Sequence, residues 1–327
     1  MAAARGIERV LAKCEECIGS GNFYEAHQMI RTLYFRYNSQ QKYAEAIDLL
    51  YRGALTLLNH NQYGSGADLS LLLVDTLEKS STPVTQETIE KLAQLFEKMD
   101  PDCPERPVFV SRAIKWTTNI DQSHTRGHPN LHQKLGVIFW QENNYPAARY
   151  HYIHSEDGEG CASMLLAYHT ARGYPSEVDL FITQAVLQYL CLKNKTTASS
   201  CFKAYTTKHP AIKAGPPYVL PLLNFIWFLL VAVESGKIAV FTILCEKYQI
   251  SLERDPAYKE YLDKIGQLFF GLPPPQPTNQ GFFGNFLQNF LGNGLDDDDS
   301  PSPSTPSLTS SSHSQCASLP ERVIDLD

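Results

Sequence analysis

The stretch FYEAHQMIRTLYFRY, residues 23–37, places Phe23, Ala26, His27, Ile30, Leu33, Tyr34 and Tyr37 at i, i+3, i+4, i+7, i+10, i+11 and i+14. A helix of about 3.6 residues per turn winds these positions onto one face, which reads as a core-facing stripe. A second row, Tyr24, Gln28, Arg31 and Phe35, runs beside it and mixes aromatic surface with a cation, where a simple surface helix would be charged throughout. Such a helix wants neighbours on two sides. Packing on the element before and the element after is the unit of an α-solenoid.

Working outward, residues 43–60 (YAEAIDLLYRGALTLLNH) repeat the pattern, and three helix starts share a signature: Asn22-Phe23-Tyr24-Glu25-Ala26, Lys42-Tyr43-Ala44-Glu45-Ala46 and Asn144-Tyr145-Pro146-Ala147-Ala148. Each sets an aromatic three residues ahead of an alanine, whose small side chain lets a neighbouring helix approach closely. The degenerate period resembles tetratricopeptide-type repeats without their strict consensus. Further helices read at 5–19, 67–80, 85–99, 105–118, 130–143, 146–155, 161–172, 176–193, 196–208, 220–234, 237–249 and 256–270. Pro83, Pro101, Pro104, Pro129, Pro146, Pro175 and Pro210 fall between these runs or at their starts, where proline is tolerated. Residues 211–218 (AIKAGPPY) are a break with room for a short β-hairpin around Gly215. The expected fold is all-α: a right-handed α-solenoid of tetratricopeptide-like helix pairs, about fourteen helices in all, followed by a disordered tail.

That tail holds most of the charge. Of the net −7 over 327 residues, −6 lies in residues 272–327, which carry the run Asp296-Asp297-Asp298-Asp299 among Ser and Pro. The nearly neutral body argues against nucleic acid as a partner, because backbone binding needs several Lys or Arg at phosphates. One apolar island, 282–291 within GFFGNFLQNFLG, interrupts the tail at helical spacing and reads either as cover for an exposed end of the solenoid or as a site for a partner or, less so for want of Lys or Arg, a membrane surface. The opening MAAARGIERVLAK is punctuated by charge and does not read as a signal peptide. Residues 218–233 (YVLPLLNFIWFLLVAV) fall short of the roughly 20 apolar residues a bilayer demands and contain Pro221 and Asn224, so they read as a buried helix with no stable membrane insertion.

The search for chemistry returns little. Cys14 and Cys17 form a lone Cys-x-x-Cys inside a helical pattern, and scattered cysteines fit reduced core thiols in a cytosolic protein. His128 with His132, and His151 with His154, have helical spacing but no third ligand, so no metal is expected. Asp157-Gly158-Glu159-Gly160 resembles a helix amino terminus. No phosphate-cradling glycine loop or nucleophile–base cluster occurs, and neither a catalytic residue nor a cofactor is assigned. Surface recognition is left. Arg31 and Arg36, with Arg5 and Arg9, give the amino-terminal end a basic edge, and Tyr24, Arg31 and Phe35 have the composition of interface anchors. Asp68 is expected in the first turn of its helix, either favouring the helix dipole or answering a cation on a partner.

Seven blocks in order, FYEAHQMIRTLYFRY, GSGADLS, DPDCPERPVFVSRAIKW, HSEDGEGCASML, QAVLQYLCLKNK, GPPYVLPLLNFIWFLL and DPAYKEYLDKIGQLFFG, resemble the Golgi-to-ER traffic protein four family over about residues 5–271. The resemblance implies a non-enzymatic cytosolic adaptor for tail-anchored membrane proteins. It implies an N-terminal half, 1–155, facing the targeting ATPase, a C-terminal half, 156–271, facing a Bag-six scaffold or ubiquitin-like protein, and a tail, 272–327. Tyr24, Arg31 and Arg36 inherit the ATPase-facing role, and Asp68 corresponds to an acid that modulates the ATPase's hydrolysis. Gly215, Pro216, Pro217 and Tyr218 inherit the scaffold-facing turn, although Lys213 and Ala214 stand where relatives carry acids. The alternative is a generic helical-repeat scaffold in another cytosolic complex.

Overall fold

The computed structural model describes residues 2–273, with side chains from residue 8 onward. Helix follows helix: α1 (Ala2–Gly19), α2 (Phe23–Ser39), α3 (Tyr43–Asn59), α4 (Tyr63–Lys79), α5 (Gln86–Lys98), α6 (Glu105–Ile120), α7 (Pro129–Gln141) and α8 (Tyr145–Ile153). Then come α9 (Gly158–Arg172), a short turn of 3-10 helix at Pro175–Glu177, α10 (Val178–Cys191), α11 (Lys195–Lys208), α12 (Pro221–Ser235), α13 (Ile238–Lys247), α14 (Gln249–Leu252) and α15 (Ala257–Phe270). The described residues contain no strand. The helix beyond the expected fourteen is the single turn α14, which periodicity merges with α13.

One reversal recurs between successive helices. Gly21 (φ +82°), Gln41 (+55°), Asn61 (+59°), Asn143 (+59°) and Lys193 (+62°) each sit at the centre of a three-residue link in the left-handed region. In each case the next N–H reaches back to the last turn: Asn22 to the Cys17 carbonyl (2.7 Å), Lys42 to Tyr37 (3.0 Å), Gln62 to Leu57 (2.9 Å), Asn144 to Phe139 (2.9 Å), Asn194 to Tyr189 (2.9 Å). These bonds satisfy helix-end carbonyls that would otherwise be orphaned, which offsets the cost of a left-handed non-glycine residue.

The aromatic-then-small signature marks the helix crossings. Ala26, Ala46 and Ala148 are fully buried. In α4 the same place is held by Gly66, where a Cβ would come within 2.5 Å of the Leu58 side chain. The helix therefore begins at Tyr63 rather than residue 67, and Asp68 lies in its second turn, with no acid in the first. The dipole role expected for Asp68 is corrected accordingly.

Packing follows solenoid logic in the first part: α1 lies on α2 and α3, α2 on α3 and α4, α3 on α4 and α5, α5 on α6 and α7. Their buried faces form a continuous cluster from Leu11 to Ile138. Further on, α15 folds back onto α10 and α13. The return is fastened by Arg254, whose Nη1 donates to the fully buried Asp179 at 2.7 Å while Nη2 donates to the Ser176 carbonyl at 2.8 Å. Leu272 closes the end: its N–H reaches the Gly266 carbonyl and its side chain is buried. The apolar α12 is covered by α10, α13 and α14, with Leu222, Leu223, Phe225, Ile226 and Leu229 buried. No described helix is long and apolar enough to cross a membrane.

Residues 211–220 do not form the expected hairpin; they are turns and bends without strand pairing. Pro216 and Pro217 have no N–H to give a ladder, and both Gly215–Pro216 and Pro216–Pro217 are cis. The N–H and C=O of Tyr218, which a strand partner would have taken, are instead taken by the side-chain amide of Asn224, each at 2.7 Å. The acidic stretch and the island at 282–291 lie outside the described residues.

Candidate functional site: two recognition faces

The first face is the outer row of α2. Core residues Ala26, Ile30, Tyr34 and Tyr37 fix the helix's rotation, and this turns Tyr24 (77% exposed) and Phe35 (53%) outward. Between them, Arg31 Nη1 donates to both oxygens of Asp68, at 2.8 and 2.7 Å. His27 Nε2 lies 2.8 Å from Asp68 Oδ2, so two residues of α2 converge on one carboxylate of α4. The Arg31 guanidinium also lies 5.7 Å from the centre of the Phe35 ring. Arg36 is exposed and has no ion pair among the described residues, and Arg9 is exposed as well. The side chain of Arg5 lies outside the described residues.

Four residues singled out in the sequence are thus placed on one end, but not as independent charges. Arg31 is not a free cation, and the cation that Asp68 answers is in its own chain. His27, buried on the core side of the pair, is the member that sequence reading counted only as core. Spacing could not have revealed the pair, since Arg31 and Asp68 are 37 residues apart.

The second face surrounds the turn between α11 and α12. Gly215, Pro216 and Pro217 are exposed, and Tyr218 is half-buried with its ring edge-on to Phe202 of α11 at 5.8 Å. A Cβ on Gly215 would stand 2.6 Å from the Tyr218 ring, so the turn can close over the ring only because residue 215 has no side chain. Val219, Phe228, Val231, Val240 and Ile243 leave large apolar side chains exposed on the same turn and on α12 and α13. Asn224, a lone amide in an apolar run, was the available signal for how this turn is held.

The remaining candidates are structural. His132 and His151 face each other with their Nδ1 atoms 2.9 Å apart, and His132 Nε2 donates to the Arg126 carbonyl at 2.9 Å. Burial pushes His132 down to about 4. The described residues contain no group of three or more His, Cys, Asp or Glu suited to a metal ion. Cys14 and Cys17 are buried in α1, and burial pushes the Cys14 thiol up to about 11, away from the reactive thiolate. Asp157 caps α9 by accepting from the Gly160 N–H at 2.7 Å. What the geometry offers is therefore two surfaces for recognition: one aromatic and cationic, one apolar around a proline turn.

Comparison with known proteins identifies relatives over most of the chain. The family model described as Golgi to ER traffic protein 4 matches residues 40–292. A Golgi to ER traffic protein 4 homolog from Oryzias latipes is 58% identical over 294 residues, covering 90% of each chain. The Homo sapiens homolog is 55% identical over 300 residues, covering 91% of each. Among solved structures, the crystal structure of C. therm. Get4 aligns with a TM-score of 0.76 at 29% identity, covering 90% of this chain and 100% of that one.

Proposed function

The chain belongs to the Golgi to ER traffic protein 4 family, and on that premise we propose that it is a non-enzymatic cytosolic adaptor in the delivery of tail-anchored membrane proteins to the ER. In this reading it links a Bag-six scaffold or ubiquitin-like protein to the targeting ATPase. The N-terminal half, 1–155, faces the ATPase through Tyr24, Arg31, Arg36 and Asp68. The C-terminal half, 156–271, faces the scaffold through Gly215, Pro216, Pro217 and Tyr218.

The observation that carries the reading is the outer row of α2: an exposed Tyr24 and Phe35 on either side of the Arg31–Asp68 pair, with the exposed Arg36 nearby. Exposed aromatics with arginine are the composition of interface anchors, and the resemblance to the family implies an ATPase contact on these first helices. Charge reversal at Arg31 and Arg36 tests it. Arg36 is exposed and Arg31 partly so, in a pair that contributes little to stability, so Arg31→Glu with Arg36→Glu should weaken ATPase capture while leaving the fold intact, most of all at low salt. Unchanged capture at low salt would reduce the basic edge to solvated surface.

At the other end, the exposed apolar residues of α12 and α13 support a scaffold site next to the proline turn. Apolar side chains exposed on neighbouring turns of α12 and α13 are the kind of surface a partner can cover. A scaffold segment that docks here and binds only the folded chain must raise its melting temperature.

A further inference from the structure

Two imidazoles connect the base of the α11–α12 turn to the interior. His209, the residue after α11, and His169 in the last turn of α9 are both buried, with His209 Nε2 lying 3.1 Å from His169 Nδ1. The two ends of this contact are backbone groups of fixed character. The Ala211 N–H donates to His209 Nδ1 at 3.2 Å, and the Tyr174 carbonyl accepts from His169 Nε2 at 2.9 Å. An amide can only donate and a carbonyl can only accept, so the chain of bonds has one self-consistent arrangement. His169 is neutral with its proton on Nε2, and its Nδ1 accepts. His209 is neutral with its proton on Nε2, and its Nδ1 accepts from Ala211.

An added proton has no place in this relay. On His209 Nδ1 it would confront the Ala211 N–H, and on His169 Nδ1 it would confront the His209 Nε2–H. Either way two donors meet in a buried site, and a bond must open. We propose that the His169–His209 relay is a proton-sensitive latch that holds the entry to the turn at residues 211–218 and releases it on acidification.

The turn has few other fastenings. The Ile212 N–H reaches the His209 carbonyl at 3.1 Å, and at the far end Asn224 holds Tyr218. Between them Lys213, Ala214, Gly215, Pro216 and Pro217 are exposed, and the prolines have no donor to contribute. Loss of the Ala211 bond therefore loosens one of the turn's two ends.

The other charged and titratable groups nearby are occupied or face solvent. Glu177 accepts from the Tyr174 N–H, Asp179 is taken by Arg254, and Tyr205 donates to the Val178 carbonyl. Lys208 reaches Ser163, and Arg172 and Lys213 are exposed. Burial and then the neighbouring His169 hold His209 below its ordinary value, so the relay is closed at neutral pH. The effect on partner binding rests on the reading of this turn as the scaffold site; the readouts below report the latch whether or not the turn binds anything.

The test uses the full chain with 15N-labelled histidine. At pH 7.5 the imidazole spectra should show His169 and His209 both protonated on Nε2 alone; an Nδ1–H signal for His209 would overturn the relay. Amide protection at Ala211, corrected for intrinsic exchange, should then fall about 10-fold per pH unit below pH 6.5, the dependence expected for opening that takes up one proton. In His209→Gln that fall should flatten, while the amide of Gly127, beside the separate His132–His151 pair, keeps its own response. A fall at Ala211 as steep in His209→Gln as in the parent would contradict the proposal. If the variant does not fold, the unaltered protein still decides the matter: protection at Ala211 that stays flat below pH 6.5 would contradict the latch.

Discussion

Arg31 of α2 and Asp68 of α4 are joined by hydrogen bonds of 2.7 and 2.8 Å, with His27 on the same carboxylate, so the outward row of one helix is braced by the next helix but one. The side chains of Arg31 and Asp68 remain 31% and 36% exposed, a setting in which an ion pair contributes little to stability. Asp68→Ala should therefore shift the folding free energy by at most about 1 kcal/mol in chemical denaturation. Under the proposed function its larger effect should be on ATPase capture, because it frees the Arg31 guanidinium to seek another acid. A loss of several kcal/mol would mean that the pair is a structural clamp instead.

The clamp in this molecule lies elsewhere. Asp179 is fully buried, and Arg254 is the cation that answers it. Removing one partner of a buried pair leaves an uncompensated charge and costs about 3–5 kcal/mol, less here because the Arg254 side chain is 36% exposed. Arg254→Ala should lower stability by roughly 2–3 kcal/mol, and Arg254→Ala with Asp179→Asn should recover part of it. Urea denaturation of the single and double variants measures the difference; a single variant as stable as the parent would contradict the assignment.

Asn224 should matter more than its position in an apolar helix suggests. Asn224→Leu leaves the Tyr218 N–H and C=O without their side-chain partners, at a cost of about 1–3 kcal/mol for an orphaned part-buried group. Hydrogen exchange should show Tyr218 losing protection while α2 is unaffected. Retained protection at Tyr218 would mean that something other than Asn224 holds the turn.

The chain should weaken in mild acid. Burial, more than any neighbouring charge, holds His132 at about 4, against about 6.5 when unfolded. Above pH 6.5 both states are neutral and this histidine contributes no pH dependence. As pH falls from 6.5 towards 4 the unfolded state takes up the proton first, so stability is lost across that window and levels off below it. At ~1.4 kcal/mol per unit, His132 accounts for a loss of up to about 3 kcal/mol. His151, also pushed down by burial, adds to it in the same direction. Thermal melts of the parent and of His132→Gln between pH 7.5 and 4.5 should diverge in their slopes; parallel curves would refute the account.

What the sequence made legible was local and periodic. The stripe through Ala26, Ile30 and Tyr34 fixed the rotation of α2, and prolines such as Pro129, Pro146 and Pro221 fell in the first turns of α7, α8 and α12. The start of α4 was not legible in the same way, because glycine stands where the other helix starts carry alanine. In Gln62-Tyr63-Gly64-Ser65-Gly66 the small residue is Gly66, and recognising it would have moved the helix start back to Tyr63. The partners that shape the two faces were not legible, because they join positions far apart or use groups with no periodic signature. Arg31 meets Asp68 across two helices, His169 meets His209 across 40 residues, and a single amide at Asn224 replaces the strand partner that a hairpin would have required.

The proposed function requires that one chain hold two partners at once, through separate ends. Sedimentation velocity on the full chain with the targeting ATPase and the scaffold's binding segment tests it most directly. The account predicts a single boundary containing all three, from which Arg31→Glu with Arg36→Glu removes the ATPase alone. Mutual exclusion, with the ATPase displaced as the scaffold segment is added, would contradict it.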